Sequence, residues 1–365
     1  MKVNTDPPKR RATLKDIATE LGVATATVSN AYNRPDQLSP ALRERIFEVA
    51  ARLGYAGPDP MARGLRRGQS GAIGIVHRER LSYAFSDPAA SLFLQGIARE
   101  VEAGGQGLLL VSRPPGQEPE LAAINSAAVD GFVVHCLTAD DPLLQAVLRR
   151  QLPTVLVDQP GFDDLPYVMI DDSGGARAAA QHVLDLGHRR LGVLAFRLTP
   201  DATAGIADRQ RQEATTNVVA LARLRGYDAA LRAVGLDWHE HVTVYECLEH
   251  TPAAGRLAAA ALLAAHPRPT ALLAMSDQLA LGVLEYAAQA GLAVPAQLSV
   301  VGFDDTPAAA LASPALTTVY QPHVDKGRWA GRLLLARLRG EPSPGAVSLP
   351  TRLVVRESTA AVPGV

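Results

Sequence analysis

Two sets of side chains have types and spacing suited to chemistry. In the run ATATVSNAY, Ala24 to Tyr32, a helical reading turns Val28 and Ala31 inward and leaves Thr25, Ala26, Thr27, Ser29 and Asn30 outward. Hydroxyls and a carboxamide on one outer face can exchange hydrogen bonds with base edges and phosphates. The second set lies at the ends of apolar runs. Asp158 closes TVLVD, Asp277 follows ALLAMS, and Tyr83 and Phe85 come just after AIGIV. Strand-end carboxylates and aromatic faces can hold a small polar ligand, although a strand-end aspartate can equally cap the next helix.

The first set needs helices to present it. Thr13 followed by Asp16 has the form of a capping box, which starts a helix at Leu14. Leu14, Ile17, Ala18 and Leu21 then give one apolar face, and Gly22 supplies a turn requiring positive φ. Two short helices around such a turn make a helix-turn-helix, whose second helix can enter the major groove. The same pattern also fits an ordinary helical hairpin within a core. Ser39-Pro40 opens a third helix carrying Leu42, Ile46, Val49 and Leu53, which ends at Gly54-Tyr55. Beyond it, Asp59-Pro60 can start a short helix, MARGLRR. Gly64 in its middle costs about 1 kcal/mol relative to Ala. So short a helix is marginal alone and is expected to order only with DNA and a second subunit.

From Gly71 the period changes. AIGIV, GLLLV, GFVVH and PTVLVD are apolar runs alternating with helical stretches at 91–104, 119–128 and 143–150. A second series begins with VMIDD and continues through LGVLA, VTVYE, TALLAM and LSVVGFDD, with a strand near 316–321 before a last helix at 324–339. The reading is a small all-α headpiece plus an α/β body of two lobes, each a doubly wound parallel sheet. Ligands in such sheets sit beyond the C-terminal strand ends, so a cleft between the lobes is the expected site. The expected boundaries are a disordered basic arm at 1–12, the DNA-binding domain at 13–56, a hinge at 57–70, the body at 71–350 and a C-terminal strand and tail at 351–365. Residues 198–217 are more polar and longer than an ordinary connection, which suggests a mobile surface loop.

Charge agrees with a polyanion at one end of the molecule. Residues 1–70 hold twelve Lys/Arg against seven Asp/Glu, and the remainder 24 against 30. Lys9, Arg10 and Arg11 suit phosphates or a solvated tail. The two cysteines, Cys136 and Cys247, are far apart. They read as buried thiols, a disulfide being unprompted, and no Cys/His spacing suggests zinc. With no apolar leader and no run of about 18 apolar residues, a soluble cytoplasmic protein without a membrane partner is expected. Gly104-Gly105-Gln106-Gly107 follows a helix and precedes a strand, the wrong order for a dinucleotide loop, and no P-loop or G-x-S-x-G occurs. Asp171-Asp172 reads as a strand end and helix cap. No enzyme activity, cofactor or metal is expected. The alternatives are a transport-type sugar-binding protein, which would lack residues 13–68, and a Rossmann-type sugar enzyme.

The order of motifs resembles the lactose-repressor/galactose-repressor family of bacterial transcription regulators. The matching residues are TLKDIA, the GV-x-x-x-TVS run from Gly22 to Ser29, Asn33, the LS-x-x-x-R-x-R-I helix, LGY, and A-R-x-L at 62–65. The resemblance implies that Thr25 and Ala26 read bases, with Asn30 one turn further on. It implies that Thr27 and Ser29 support the helix and touch phosphate, and it adds Thr13, Ala24 and Asn33 to the DNA-contacting set. Arg63 would lie near phosphates and Leu65 would wedge into the minor groove of a near-palindromic operator. Ala24 departs from the family's capping serine. Asn30 stands where arginine is frequent, which predicts an A·T preference beneath it.

For the body the resemblance implies periplasmic-binding-protein-like lobes and a cleft for a sugar or nucleoside effector. Asp158 and Asp277 match effector-binding acids, Arg223 in R-x-x-G-aromatic matches a ligand clamp, and His250 falls near a stacking aromatic. Tyr83 and Phe85 complete the expected effector set, while Phe303-Asp304-Asp305 is expected at the lobe junction. The family's tetramer-forming leucine tail is absent, so a homodimer is expected.

Overall fold

The structure, a computed structural model, describes residues 12–57, 69–77, 80–112, 121–159, 162, 164–201 and 203–362. The basic-arm residues, Arg63, Leu65 and the hinge segment around them lie outside the described residues. The chain forms two units, Met1–Ser70 and Gly71–Val365.

In the first unit α1 (Leu14–Leu21), α2 (Thr25–Asn33) and α3 (Pro40–Arg52) close around Ile17, Val28 and Ile46, all fully buried. The signals that start and stop them are local. Thr13 Oγ1 accepts from Asp16 N and Asp16 Oδ2 accepts from Thr13 N at 2.7 Å, a reciprocal cap. Gly22 sits at φ 66°, which no β-carbon favours. Ser39 caps α3 ahead of Pro40. Tyr32 packs edge-on against Phe47 and Tyr55, with ring centroids 5.1 and 5.9 Å away. One expected core residue is displaced. Leu53 falls at the end of α3 and is exposed, and Ala50 is buried on that face instead.

The second unit contains β1 (Ala72–His77), β2 (Gly107–Ser112), β3 (Gly131–His135), β4 (Thr154–Val157), β5 (Tyr167–Ile170), β6 (Leu191–Ala195), β7 (Gly205–Ala207), β8 (Val242–Glu246), β9 (Ala271–Ala274), β10 (Ser299–Asp304), β11 (Thr317–Tyr320), β12 (Ala346–Leu349) and β13 (Arg352–Val354). They make two sheets, ordered β12-β5-β4-β3-β1-β2 and β13-β11-β10-β9-β6-β8-β7. All pairs are parallel except β7 with β8 and β11 with β13 at the edges of the second sheet. Each sheet contains the same doubly wound order, β2-β1-β3-β4-β5 in one and β8-β6-β9-β10-β11 in the other. Apolar residues on both faces, as in β4, β6 and β9, explain why the strands read as continuous hydrophobic runs.

Two expectations are corrected here. VMIDD does not open the second lobe: β5 pairs with β4 and β12 in the first sheet, and the helix Asp172–Asp185 then carries the chain across. Strand-helix alternation continues through the crossing, so the sequence holds no punctuation there. The described residues of 198–217 are not an irregular loop. They form β7 and the helix Arg209–Glu213, stapled by Arg211 to Asp201 and to the buried Glu246, each at 2.5 Å.

The chain passes between the sheets three times: after β5, after β11, and from β12 to β13. On the second passage the helix His323–Leu338 packs on the helix Pro88–Ala103 of the first lobe. A β-carbon at Gly96 would lie 2.1 Å from Val324 O, so only glycine permits that approach. Among the described residues no helix is long and apolar enough to cross a membrane.

Candidate functional site

On α2 the outer face is as the helical spacing predicts. Thr25 and Ala26 are exposed, Thr27, Ser29 and Asn30 half-buried, and Val28 and Ala31 buried. Ala24 occupies the N-cap and contributes no side-chain hydrogen bond, so the first amide groups of α2 are left for another acceptor. Asn30 Nδ2 donates to Gln37 Oε1 at 3.3 Å, which orients its carboxamide. Asn33 Nδ2 donates to Ser29 O at 3.0 Å, so this residue closes the helix from within. Thr13 caps α1.

In the body, the strand ends of both sheets converge on one cavity of about 130 Å³. A single water needs about 10–15 Å³ by this measure, so the space suits a small molecule. From the first lobe come His77, His135, Cys136 and Asp158, which end or follow β1, β3 and β4. From the second come Phe196 and Arg197 after β6, His250 after β8, Ser276 after β9 and Asp304 at the end of β10. The switch points of the two sheets, β1/β3 and β6/β9, thus face the same space, as doubly wound topology requires.

A polar chain runs along its wall. Gln321 Nε2 donates to Asp304 Oδ1 at 2.5 Å, and Lys326 Nζ donates to Gln321 Oε1 at 3.3 Å and to Asp158 Oδ2 at 2.6 Å. His135 Nε2 lies 3.2 Å from the same Asp158 oxygen. Burial would raise the Asp158 carboxyl, but Lys326 and His135 hold it well below the usual range. Burial would lower His135, but Cys136 and Asp158 push it up to about 9. His77, stacked on His135 at 4.9 Å, is driven down to about 3 by burial and by its histidine neighbours. Burial and the nearby Asp277 raise Asp304 well above its ordinary value.

Arg223 is buried, with Nε donating to Asp172 Oδ1 at 2.8 Å and Nη1 to Met275 O. Its guanidinium lies 3.5 Å from the centroid of Phe303. His250 stacks on Phe196 with centroids 4.1 Å apart, and its Nδ1 is 3.2 Å from Tyr83 Oη. Four polar atoms of wall residues are buried without a hydrogen-bond partner: His135 Nδ1, Asp158 Oδ1, Arg197 Nε and His323 Nε2. Cys136 and Asp158 both have φ of 54°, a left-handed conformation that costs energy for non-glycine residues and clusters at functional sites.

The structure therefore brings together Tyr83, Asp158, Arg223 and His250, and places two expected residues elsewhere. Phe85 is 70 % exposed, because two residues along a helical turn point Tyr83 and Phe85 to opposite sides. Asp277 is fully buried behind the wall, accepting from Thr306 N at 2.7 Å, Thr306 Oγ1 at 3.0 Å and Thr318 Oγ1 at 2.5 Å. Ser276, not Asp277, lines the cavity, since the helix starting at Asp277 turns that side chain toward β10. Conversely, Asp304 faces the cavity rather than only the junction, Phe303 lies under Arg223, and Asp305 pairs with Arg356 at 2.6 Å. Asp172, read as a cap, is the ion-pair partner of Arg223. The strand-end rule marks His77, His135 and Asp304. Nothing local marks His323 and Lys326, which arrive on a helix from the far end of the chain.

Residues 13–57 match the bacterial regulatory proteins of the lacI family, and residues 180–359 match a periplasmic binding protein-like domain. An HTH-type transcriptional regulator of Mycobacterium tuberculosis is 49 % identical over 333 residues, covering 90 % of this chain and 91 % of its own. The chain belongs to the lacI family. As a member it is a DNA-binding transcriptional regulator. Among solved structures, the lac repressor dimer bound to operator and the anti-inducer ONPF matches with a TM-score of 0.77 at 26 % identity, covering 96 % of this chain and all of the other. The transcriptional regulator CelR in complex with cellobiose matches with a TM-score of 0.68 at 31 % identity, covering 95 % and 100 %.

Proposed function

We propose that this regulator is a repressor that binds a near-palindromic operator as a homodimer and responds to a small hydroxyl-rich effector of the sugar or nucleoside class. Thr25, Ala26 and Asn30 read bases, Thr27 and Ser29 meet phosphate, and Asn33 holds the end of α2 in shape. Arg63 and Leu65 belong to the hinge that follows. Asp158, Arg223, Tyr83 and His250 bind the effector, whose arrival shifts the population of lobe arrangements and with it the spacing of the two hinges.

The observation that carries the effector reading is the concentration of unpartnered buried polar atoms. Of five such side-chain atoms among the described residues, four belong to residues that line this one cavity. Buried polar groups are ordinarily satisfied, so these await partners. A molecule presenting both hydroxyl donors and acceptors, with an apolar face for Phe196 and His250, supplies them. The cellobiose complex of CelR supports the sugar class.

Thermal-shift screening of sugars, sugar phosphates and nucleosides on the full chain tests this. A true effector at a hundredfold excess over its Kd stabilises the parent by about 2.7 kcal/mol and changes the operator gel shift, and Arg223→Ala loses the response. A hit that stabilises Arg223→Ala as strongly as the parent would overturn the assignment of the cavity.

A further inference from the structure

Spacing along the chain argues against a metal site, but the fold assembles a donor set that spacing hides. β3 and β4 are parallel neighbours with His135 opposite Val157, so the residues at and just past their ends converge. There His135 Nε2, Cys136 Sγ and Asp158 Oδ2 form a triangle with sides of 3.2, 3.7 and 4.0 Å. A tetrahedral zinc ion with bonds of about 2.0–2.3 Å holds adjacent donors about 3.3–3.6 Å apart. Each side of the triangle is thus within a few tenths of an ångström of what coordination needs. The side chain of Asp158 is only 5 % exposed, yet its Oδ1 has no partner, and His135 Nδ1 has none either.

We propose that His135, Cys136 and Asp158 bind one divalent cation of the zinc class on the first-lobe wall of the cavity. Imidazole, thiolate and a single carboxylate select such a borderline ion over magnesium or calcium, which prefer oxygen donors alone. Three protein ligands leave a fourth position facing the cavity, open to water or to a hydroxyl of the effector. On binding, Cys136 Sγ and His135 Nε2 each give a proton to solvent and a lone pair to the ion. Lys326 is the competitor. Its ammonium sits 2.6 Å from Asp158 Oδ2, the same oxygen that completes the donor triangle. The use of the fourth position by an effector hydroxyl rests on the effector reading above, whereas occupancy by the ion does not, so the two can fail separately.

The test is titration of the reduced, chelator-treated full chain with Co²⁺, without effector or operator. One equivalent is expected to give a thiolate-to-cobalt charge-transfer band and tetrahedral d–d bands, both lost on adding Zn²⁺. Cys136→Ser should abolish the charge-transfer band, and His135→Gln and Asp158→Asn should weaken binding about tenfold or more. Cys247→Ser, altering a thiol buried in the second-lobe core, should leave the spectrum unchanged. Lys326→Met should bind more tightly than the parent, and thermal melts establish that each variant is folded. No band in the parent, a band that survives Cys136→Ser, or weaker binding by a folded Lys326→Met would overturn the proposal.

Discussion

The outer surface of α2, proposed to read DNA, is drawn from nine consecutive residues, whereas the cavity draws on strand ends and helices from His77 to Lys326. One face is presented by a helix whose caps, turn and partners lie within a few residues. The other exists only after two sheets have formed and a helix from the far end of the chain has returned to the first. The headpiece keeps its polar groups out of its core. The body buries its polar groups, pairs most of them, and leaves a few unpaired around a void. Local recognition thus depends on a small core, and distributed recognition on a large one.

The largest effect expected from this contrast is on the small core. Ile46→Ala removes a fully buried side chain from a three-helix unit and should cost about 2–5 kcal/mol. Operator binding in gel shifts should be lost while the thermal response to an effector persists. Loss of both would break the comparison, because the two recognition surfaces would then not be separable.

Buried ionisation distinguishes the body in a second way. Burial pushes the Asp277 carboxyl up to about 6, against the hydrogen bonds from Thr318 and Thr306 that favour its charge. The native state therefore keeps a proton that the unfolded chain releases near pH 4. The contribution is full below about pH 4 and is lost as pH rises through about 6, a fall of about 1–3 kcal/mol. Denaturant titrations across that range should show a shallower fall in Asp277→Asn than in the parent, the remainder coming from Asp304 and the other buried carboxyls. The buried polar and charged residues of the described chain all lie in the body, so the headpiece should not share the trend.

Asn30→Ala should cost about 1–3 kcal/mol at a single base pair and leave the salt dependence of binding unaltered. Selection of operator sequences by the variant reads this out, and an unchanged preference would remove Asn30 from the base-reading set. The smallest effect is a gain. Ala24→Ser supplies the missing cap of α2 and should stabilise the headpiece by about 0.5–2 kcal/mol, visible as a rise in its melting temperature.

The same contrast explains what could be read from the chain. Thr13 with Asp16, Gly22, and Ser39 with Pro40 are signals a residue or three apart, and all three helices of the headpiece follow from them. Strand-helix alternation likewise revealed two wound sheets, because each strand is apolar on both faces. Contacts between distant segments were less legible. The places of Asp158 and Arg223 at the cavity are legible, but their partners Lys326 and Asp172 are not, since an ion pair over 168 or 51 residues leaves no local mark. Phe85 and Asp277 lie away from the cavity for a related reason. A strand-end position tells where the backbone emerges, and one or two residues of helix then decide which way the side chain turns.

The triple passage between the sheets has a consequence for synthesis. The headpiece has all its helices once residue 52 has left the ribosome, and its contacts are short-range. The first lobe cannot close until residue 349 has emerged, because β12 completes its sheet and the helix His323–Leu338 covers it. During translation a finished DNA-binding head should therefore precede a sensor still missing one wall, with the apolar surface meant for that helix uncovered. Truncation ahead of His323 would strip the first lobe of its last strand and its covering helix.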